Sequence, residues 1–178
     1  LHTLYLQFDG VTEEPYRIVR GFNAFPIKQQ VIENCRKAGI KSITLVPTLA
    51  KGVNEQQVGD MIRFASENLD IIKGINFQPI SFTGRINRED REEKRITIPD
   101  LFKLVDEQTY GEIPVNSWYP VPFVVPVSRF IAAIRKDNIP ALTCHQHCGA
   151  GTYVYVEDGK FIPITDFIDV EGLMNFLD

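Results

Sequence analysis

Ser42-Ile43-Thr44-Leu45-Val46-Pro47-Thr48 is the stretch on which the fold turns. It is short, almost wholly apolar in its middle and closed by a proline, which is how a strand buried in a sheet reads. Upstream, residues 26–38 carry Ile27, Val31, Ile32 and Cys35 at helical spacing, with Pro26 near the start and Gly39 just past the end. Ahead of that helix, Leu4-Tyr5-Leu6-Gln7-Phe8-Asp9-Gly10 reads as a second buried strand running into a turn. Downstream, Val58, Met61, Ile62 and Ala65 form the inner stripe of another helix, and Asn54 and Gln57 precede it at capping-box spacing. Residues 71–80 (Ile-Ile-Lys-Gly-Ile-Asn-Phe-Gln-Pro-Ile) supply a third strand. The order strand, helix, strand, helix, strand predicts parallel strands joined by right-handed crossovers and covered by helices.

In such α/β sheets the chemistry collects beyond the carboxyl ends of the strands. That edge gathers Gln7 and Asp9 from the first strand, Pro47 and Thr48 from the second, and Asn76, Gln78 and Ser81 from the third. Asn76 and Gln78 stand two apart, so both point to one face of an extended strand. Amides on an apolar strand need partners, from a polar small molecule or from neighbouring backbone. Asp9-Gly10 fits a ligand contact or an ordinary turn. Arg85 follows Thr83-Gly84 and could clamp a carboxylate or phosphate, or serve as a plain loop arginine.

The rest of the chain changes character. Residues 85–95 are a dense charge run, the pattern of a solvated surface. Thr97-Ile98-Pro99-Asp100 opens a helix with a capping threonine, an early proline and an acidic first turn. Four prolines between 112 and 126 predict extended or irregular chain, and Ser128 is placed to cap a further helix through Arg135. Tyr153-Val154-Tyr155-Val156 and Phe161-Ile162-Pro163-Ile164 flank Glu157-Asp158-Gly159-Lys160, a strong hairpin signal. The organisation expected is a parallel α/β part over 1–96 and a small α+β region with a β-hairpin over 97–178.

The segment Thr143-Cys144-His145-Gln146-His147-Cys148-Gly149-Ala150-Gly151 places two thiols and two imidazoles within five residues. Thiolate and imidazole are the donors that zinc and iron–sulfur clusters prefer. A closed site needs four donors, so Cys144 and Cys148 would have to be joined by His145 and His147, by a distant residue or by groups outside the chain. The same four residues could instead form a non-catalytic zinc module, and an inert thiol pair in a turn is the plainer reading.

Bulk properties narrow the field. The chain has 178 residues, 44% of them hydrophobic, and a net charge of −4, so no basic face points to nucleic acid. Three cysteines are too few for a secreted disulfide framework, and no leader or membrane span is evident, which fits the cytoplasm. The first residue is leucine and the first strand begins at once, as in a piece of something longer. A parallel sheet of so few strands would leave an open strand edge, so pairing into a homodimer, segment swapping or tail packing is expected. An ordinary barrel-type enzyme without metal, with Asp9 or another carboxylate as acid or base, is the remaining alternative; no second carboxylate pairs with Asp9 by sequence.

Taken together, LYLQFDGVTEEPY, VIENCRKAGI, LVPTLAKGVNEQQVGDMIRFA, GINFQPISFTGR, ITIPDLFKLVDEQT, YPVPFVVPVSRF and TCHQHCGAGTYVYVEDGKFIPITDF resemble the later half of radical S-adenosylmethionine (radical SAM) enzymes. The resemblance is closest to an archaeal group that includes tetraether lipid synthase and a pterin-precursor methyltransferase. It implies strands four to six of a partial TIM-like (βα)6 barrel. It also implies S-adenosylmethionine and a 4Fe-4S cluster, held by a C-x-x-x-C-x-x-C loop, that cleaves the cofactor to a 5′-deoxyadenosyl radical. That loop is absent here, so the missing N-terminal half of the same chain would have to provide it. The parent would be a transferase or oxidoreductase making C–C bonds or moving methyl or methylene groups on a small-molecule or lipid-like substrate. By the same resemblance Gln7, Asp9, Thr48, Asn76, Gln78 and Arg85 face cofactor or substrate, and Cys144 and Cys148 belong to an auxiliary iron–sulfur region. Relatives of that group often carry a cysteine where this chain has Phe123, which would leave such a cluster one ligand short.

Overall fold

The computed structural model describes residues 3–82, 85, 87–136 and 143–177. These fall into two compact units, Leu1–Gln108 and Thr109–Asp178. In the first unit β1 (Leu4–Gln7), β2 (Ile43–Val46) and β4 (Ile72–Ile75) form a parallel sheet in the order β1-β2-β4. A two-residue parallel pair, β3 (Thr48–Leu49) with β5 (Gln78–Pro79), continues the second and third strands. Residues 71–80 thus form two short strands rather than one. The ladder nevertheless carries on past the break: Asn76 N–H donates to Leu45 O and Gln78 N–H to Pro47 O, both at 2.8 Å.

Helices α1 (Glu13–Arg20), α2 (Phe25–Lys37) and α3 (Val58–Ser66) alternate with the strands. Side chains alternate across a strand, and here the two faces differ. Leu6, Phe8, Ile43 and Leu45 are buried. Phe8 stacks on Phe64 of α3 at 4.9 Å and meets Phe25 of α2 edge-on at 6.0 Å, so the helices cover this face. The opposite face, carrying Tyr5, Gln7, Thr44 and Val46, is only partly covered, and Tyr5 is exposed. Charged α4 (Arg88–Lys94) precedes α5 (Ile98–Gln108), which packs on α3. Thr97 and Asp100 cap α5 reciprocally: the Asp100 carboxylate accepts from Thr97 N–H at 2.9 Å and Thr97 Oγ1 accepts from Asp100 N–H at 3.3 Å.

In the second unit β6 (Tyr119–Pro120) and β7 (Ala150–Gly151) pair antiparallel, and β8 (Val154–Glu157) and β9 (Lys160–Pro163) make the hairpin. Its turn residues Asp158 and Gly159 both have positive φ, 51° and 77°, the conformation that a two-residue hairpin turn demands. Helices α6 (Val124–Arg135) and α7 (Val170–Leu177) pack together. Contrary to the sequence expectation, α6 begins before Ser128 and inside the stretch expected to be irregular. Pro126 falls in its first turn, where a missing N–H costs nothing. Ser128 is therefore internal, and its Oγ donates back to Val124 O at 2.9 Å.

Candidate functional site

The carboxyl edge of the first unit is held by a network of buried polar groups. Asp9, just past β1, is fully buried. Its Oδ1 accepts from Thr48 N–H at 3.2 Å and its Oδ2 pairs with Arg20 Nε of α1 at 2.9 Å. Asn54, also fully buried, donates from Nδ2 to Asp9 O and Thr48 O, both at 2.8 Å, while its Oδ1 accepts from Ala50 N–H at 2.9 Å. Gln57 Oε1 accepts from Val11 N–H at 2.9 Å and its Nε2 donates to Thr12 Oγ1 at 2.7 Å. Two amides ahead of α3 thereby join the loop after β1 to the loop after β3. The sequence reading cast Asn54 and Gln57 as a helix capping box; neither side chain caps α3, and both bond backward across the sheet edge instead.

Gly10 is required for this closure. A Cβ there would lie 2.6 Å from Gln57 Oε1 and 3.0 Å from Pro15 Cγ. Tyr16 of α1 is wholly buried and donates its hydroxyl to Gly10 O at 3.0 Å. Burial, reinforced by the Asp9 charge, holds the Tyr16 phenol well above its ordinary pKa. Lys28 of α2 is shifted down, first by desolvation, with Asp9 opposing and Arg20 adding to the effect. Helix α1, which supplies Arg20 and Tyr16, escaped sequence analysis. Its signals are Thr12 ahead of an acidic pair, Pro15 in the first turn and Gly21 in the left-handed conformation at the end.

Of the residues singled out from sequence, Asp9 and Thr48 are brought into direct contact. Pro47 is buried between β2 and β3. Gln7 is partly buried on the sheet face opposite Phe8, and its Nε2 is enclosed with no hydrogen-bond partner among the described residues. Asn76 and Gln78 carry exposed side chains, so the cost of burying their amides does not arise in this chain. Ser81 is exposed, and Arg85 is exposed in a bend. Across the register Tyr5 lies beside Thr44, Gln7 beside Val46 and Thr48 beside Gln78. The face away from the helices is consequently lined with amides and hydroxyls near its carboxyl end.

The second unit presents the cysteine segment quite differently. Cys144, His145, His147 and Cys148 are all exposed. Cys148 N–H donates to His145 O at 2.8 Å, which closes a turn, and the two imidazole rings lie 5.0 Å apart. Val121 N–H donates to Gly149 O at 3.1 Å and ties the exit of that turn to its neighbour. Phe123 sits between Tyr119 and Tyr153, with ring centres 5.5 and 5.8 Å away, in an aromatic setting. Cys144 and Cys148 supply two donors of the four that a closed centre takes. Among the described residues no group of three or more His, Cys, Asp or Glu side chains is placed to hold a metal ion. The described donor set therefore does not fit a self-contained four-ligand cluster or zinc site. None of the described helices is long and apolar enough to cross a membrane.

Comparison with known proteins points to an enzyme class. No family model matches the chain. A curated relative is a methyltransferase, and its similarity runs through both units. It is 7,8-dihydro-6-hydroxymethylpterin dimethyltransferase of Methanocaldococcus jannaschii, 57% identical over 178 residues. The match takes in 99% of this chain and 35% of that protein, so the chain spans about a third of the length of the relative it matches.

Proposed function

We propose that this chain is the later portion of a larger radical S-adenosylmethionine methyltransferase, and that its amide-lined sheet face lines the space where cofactor and a pterin-type substrate meet. The observation that carries the reading is 57% identity along 99% of the chain to an enzyme named for methyl transfer to a hydroxymethylpterin. In this reading the parallel strands stand as the later strands of a partial (βα)6 barrel, with the amide-lined face turned inward. Support comes from the enclosed Gln7 Nε2, a buried donor with no partner among the described residues, since such groups are rarely left unsatisfied.

The 4Fe-4S cluster would be anchored outside this chain, and bound S-adenosylmethionine would supply the radical chemistry. The residues present here bind and orient. Gln7, Thr48, Asn76 and Gln78 offer amides and a hydroxyl to polar groups of cofactor or substrate. Asp9, Arg20, Asn54 and Gln57 hold the edge in shape, and both carboxylate oxygens of Asp9 are already engaged. The test is methyl transfer by the intact enzyme, reconstituted anaerobically with its cluster and supplied with S-adenosylmethionine, a methyl or methylene donor and dihydrohydroxymethylpterin. A pterin heavier by whole methyl groups, formed together with 5′-deoxyadenosine, supports the reading. A fully loaded enzyme that leaves the pterin unchanged contradicts it.

A further inference from the structure

We propose that the cleft between α5 and the loop after β3 is a binding site for a small organic phosphate. This goes beyond the methyltransferase reading and does not depend on it. The cleft lies wholly within the first unit and has a volume of about 280 Å³, the size of a small molecule. One wall is a stripe of α5, Asp100, Lys103, Leu104 and Glu107, whose spacing puts all four on one helix face. The other wall is Lys51 and Glu55 of the loop, with Arg95 and Ile96 from the connection between α4 and α5. The cations Lys51, Arg95 and Lys103 thus meet in one cleft, and among the described residues none of them makes a direct ion pair.

The carboxylates of the cleft are placed differently. Glu55 turns both oxygens to its own loop: Oε1 accepts from Gly52 N–H at 2.7 Å and Oε2 from Val53 N–H at 3.1 Å. Asp100 Oδ2 accepts from Thr97 N–H at 2.9 Å and from the Thr97 hydroxyl at 2.6 Å. The formal charges of the cleft balance, so what it offers an anion is a surplus of uncommitted donors rather than a net field. A phosphate ester matches that surplus, because its oxygens accept from several sides and take a guanidinium bidentately. Ile96 is buried and Leu104 half-buried, and these apolar side chains suit the carbon part of an ester rather than bare inorganic phosphate. The loop wall is already fixed, since Asn54 beside Glu55 bonds to Ala50 N–H, Thr48 O and Asp9 O. Little ordering is left for the ligand to impose.

The experiment is a nuclear magnetic resonance titration of the whole chain at low salt, with phenyl phosphate and inorganic phosphate as probes. We expect saturable shifts at the amides of residues 51–55 and at the methyl groups of Ile96 and Leu104. Phenyl phosphate should bind about threefold or more tightly than inorganic phosphate. Arg95→Gln and Lys103→Gln, both at exposed positions, should each weaken phenyl phosphate about tenfold while the spectra remain those of a folded chain. Lys41→Gln, which removes a cation that does not line the cleft, should leave the affinity unchanged. Leu104→Ser should erase the preference for the ester. Four results would overturn the proposal: no saturable shift with phenyl phosphate by about 10 mM, equal affinity for the two probes, the same weakening in Lys41→Gln, or unchanged affinity in folded Arg95→Gln and Lys103→Gln.

Discussion

The strand edge of the first unit and the cysteine turn of the second are both short polar stretches set in apolar sequence, yet they are built in opposite ways. At the edge, Asp9 and Asn54 are fully buried and every polar atom that holds the two loops has a named partner. At the turn, all four potential ligands stand in solvent and bond mostly to their own neighbours. A buried polar group must be satisfied by the fold, because leaving it unpaired costs about 1–3 kcal/mol. An exposed one is satisfied by water and remains available for chemistry. The first arrangement therefore reads as scaffold and the second as reactive surface, although residue types alone ranked the second as the more built site.

This contrast orders the effects of substitution. Asn54→Ala removes three bonds to backbone groups and should cost about 3 kcal/mol or more in urea unfolding of the chain; a loss below about 1 kcal/mol would mean that the network does not hold the edge. Gly10→Ala forces a methyl against Gln57 and Pro15 and should cost about 1–3 kcal/mol, measured in the same way.

Tyr16→Phe should cost about 1 kcal/mol at neutral pH, through the lost bond to Gly10 O. It should also flatten the alkaline limb of stability. The folded phenol is shifted above its unfolded value of about 10, so its contribution is complete below that pH and is lost as pH rises through the folded value. Thermal melts of both proteins from pH about 8 upward check the sign. A steeper alkaline fall in Tyr16→Phe than in the parent chain would be the wrong one. Cys144→Ser should change stability by no more than about 0.5 kcal/mol, as for other solvent-facing positions. A loss several times larger would show that the turn is a structural centre after all.

Periodicity made much of the first unit legible. Apolar runs located the strands, and helical spacing located α2 and α3, because each of those elements buries one continuous side. The hairpin was legible for a different reason: Asp158-Gly159 adopts the positive φ pair that its own chemistry favours. Helix α1 was not, since eight residues with only Pro15 and Tyr16 buried give too narrow an apolar stripe. Ser128 misled because a serine before an apolar run looks the same whether it caps a helix or bonds back within one. At the site, the strand ends placed Asp9 and Thr48 on one sheet edge, where Thr48 N–H donates to the Asp9 carboxylate. The role of Asn54 was hidden, since its partner Asp9 is 45 residues away and capping-box spacing offered a local explanation. The exposure of Asn76 and Gln78 was equally hidden, because spacing places two residues on one face without saying whether that face is covered.

The most direct test of the central claim is S-adenosylmethionine and pterin binding to the intact enzyme carrying Asn76→Ala and Gln78→Ala together, compared with the unaltered enzyme by equilibrium dialysis. If the exposed amides face a ligand, affinity for at least one of the two should fall about tenfold or more, with circular dichroism unchanged. Unchanged affinity for both, in an enzyme that is still folded, would contradict the account.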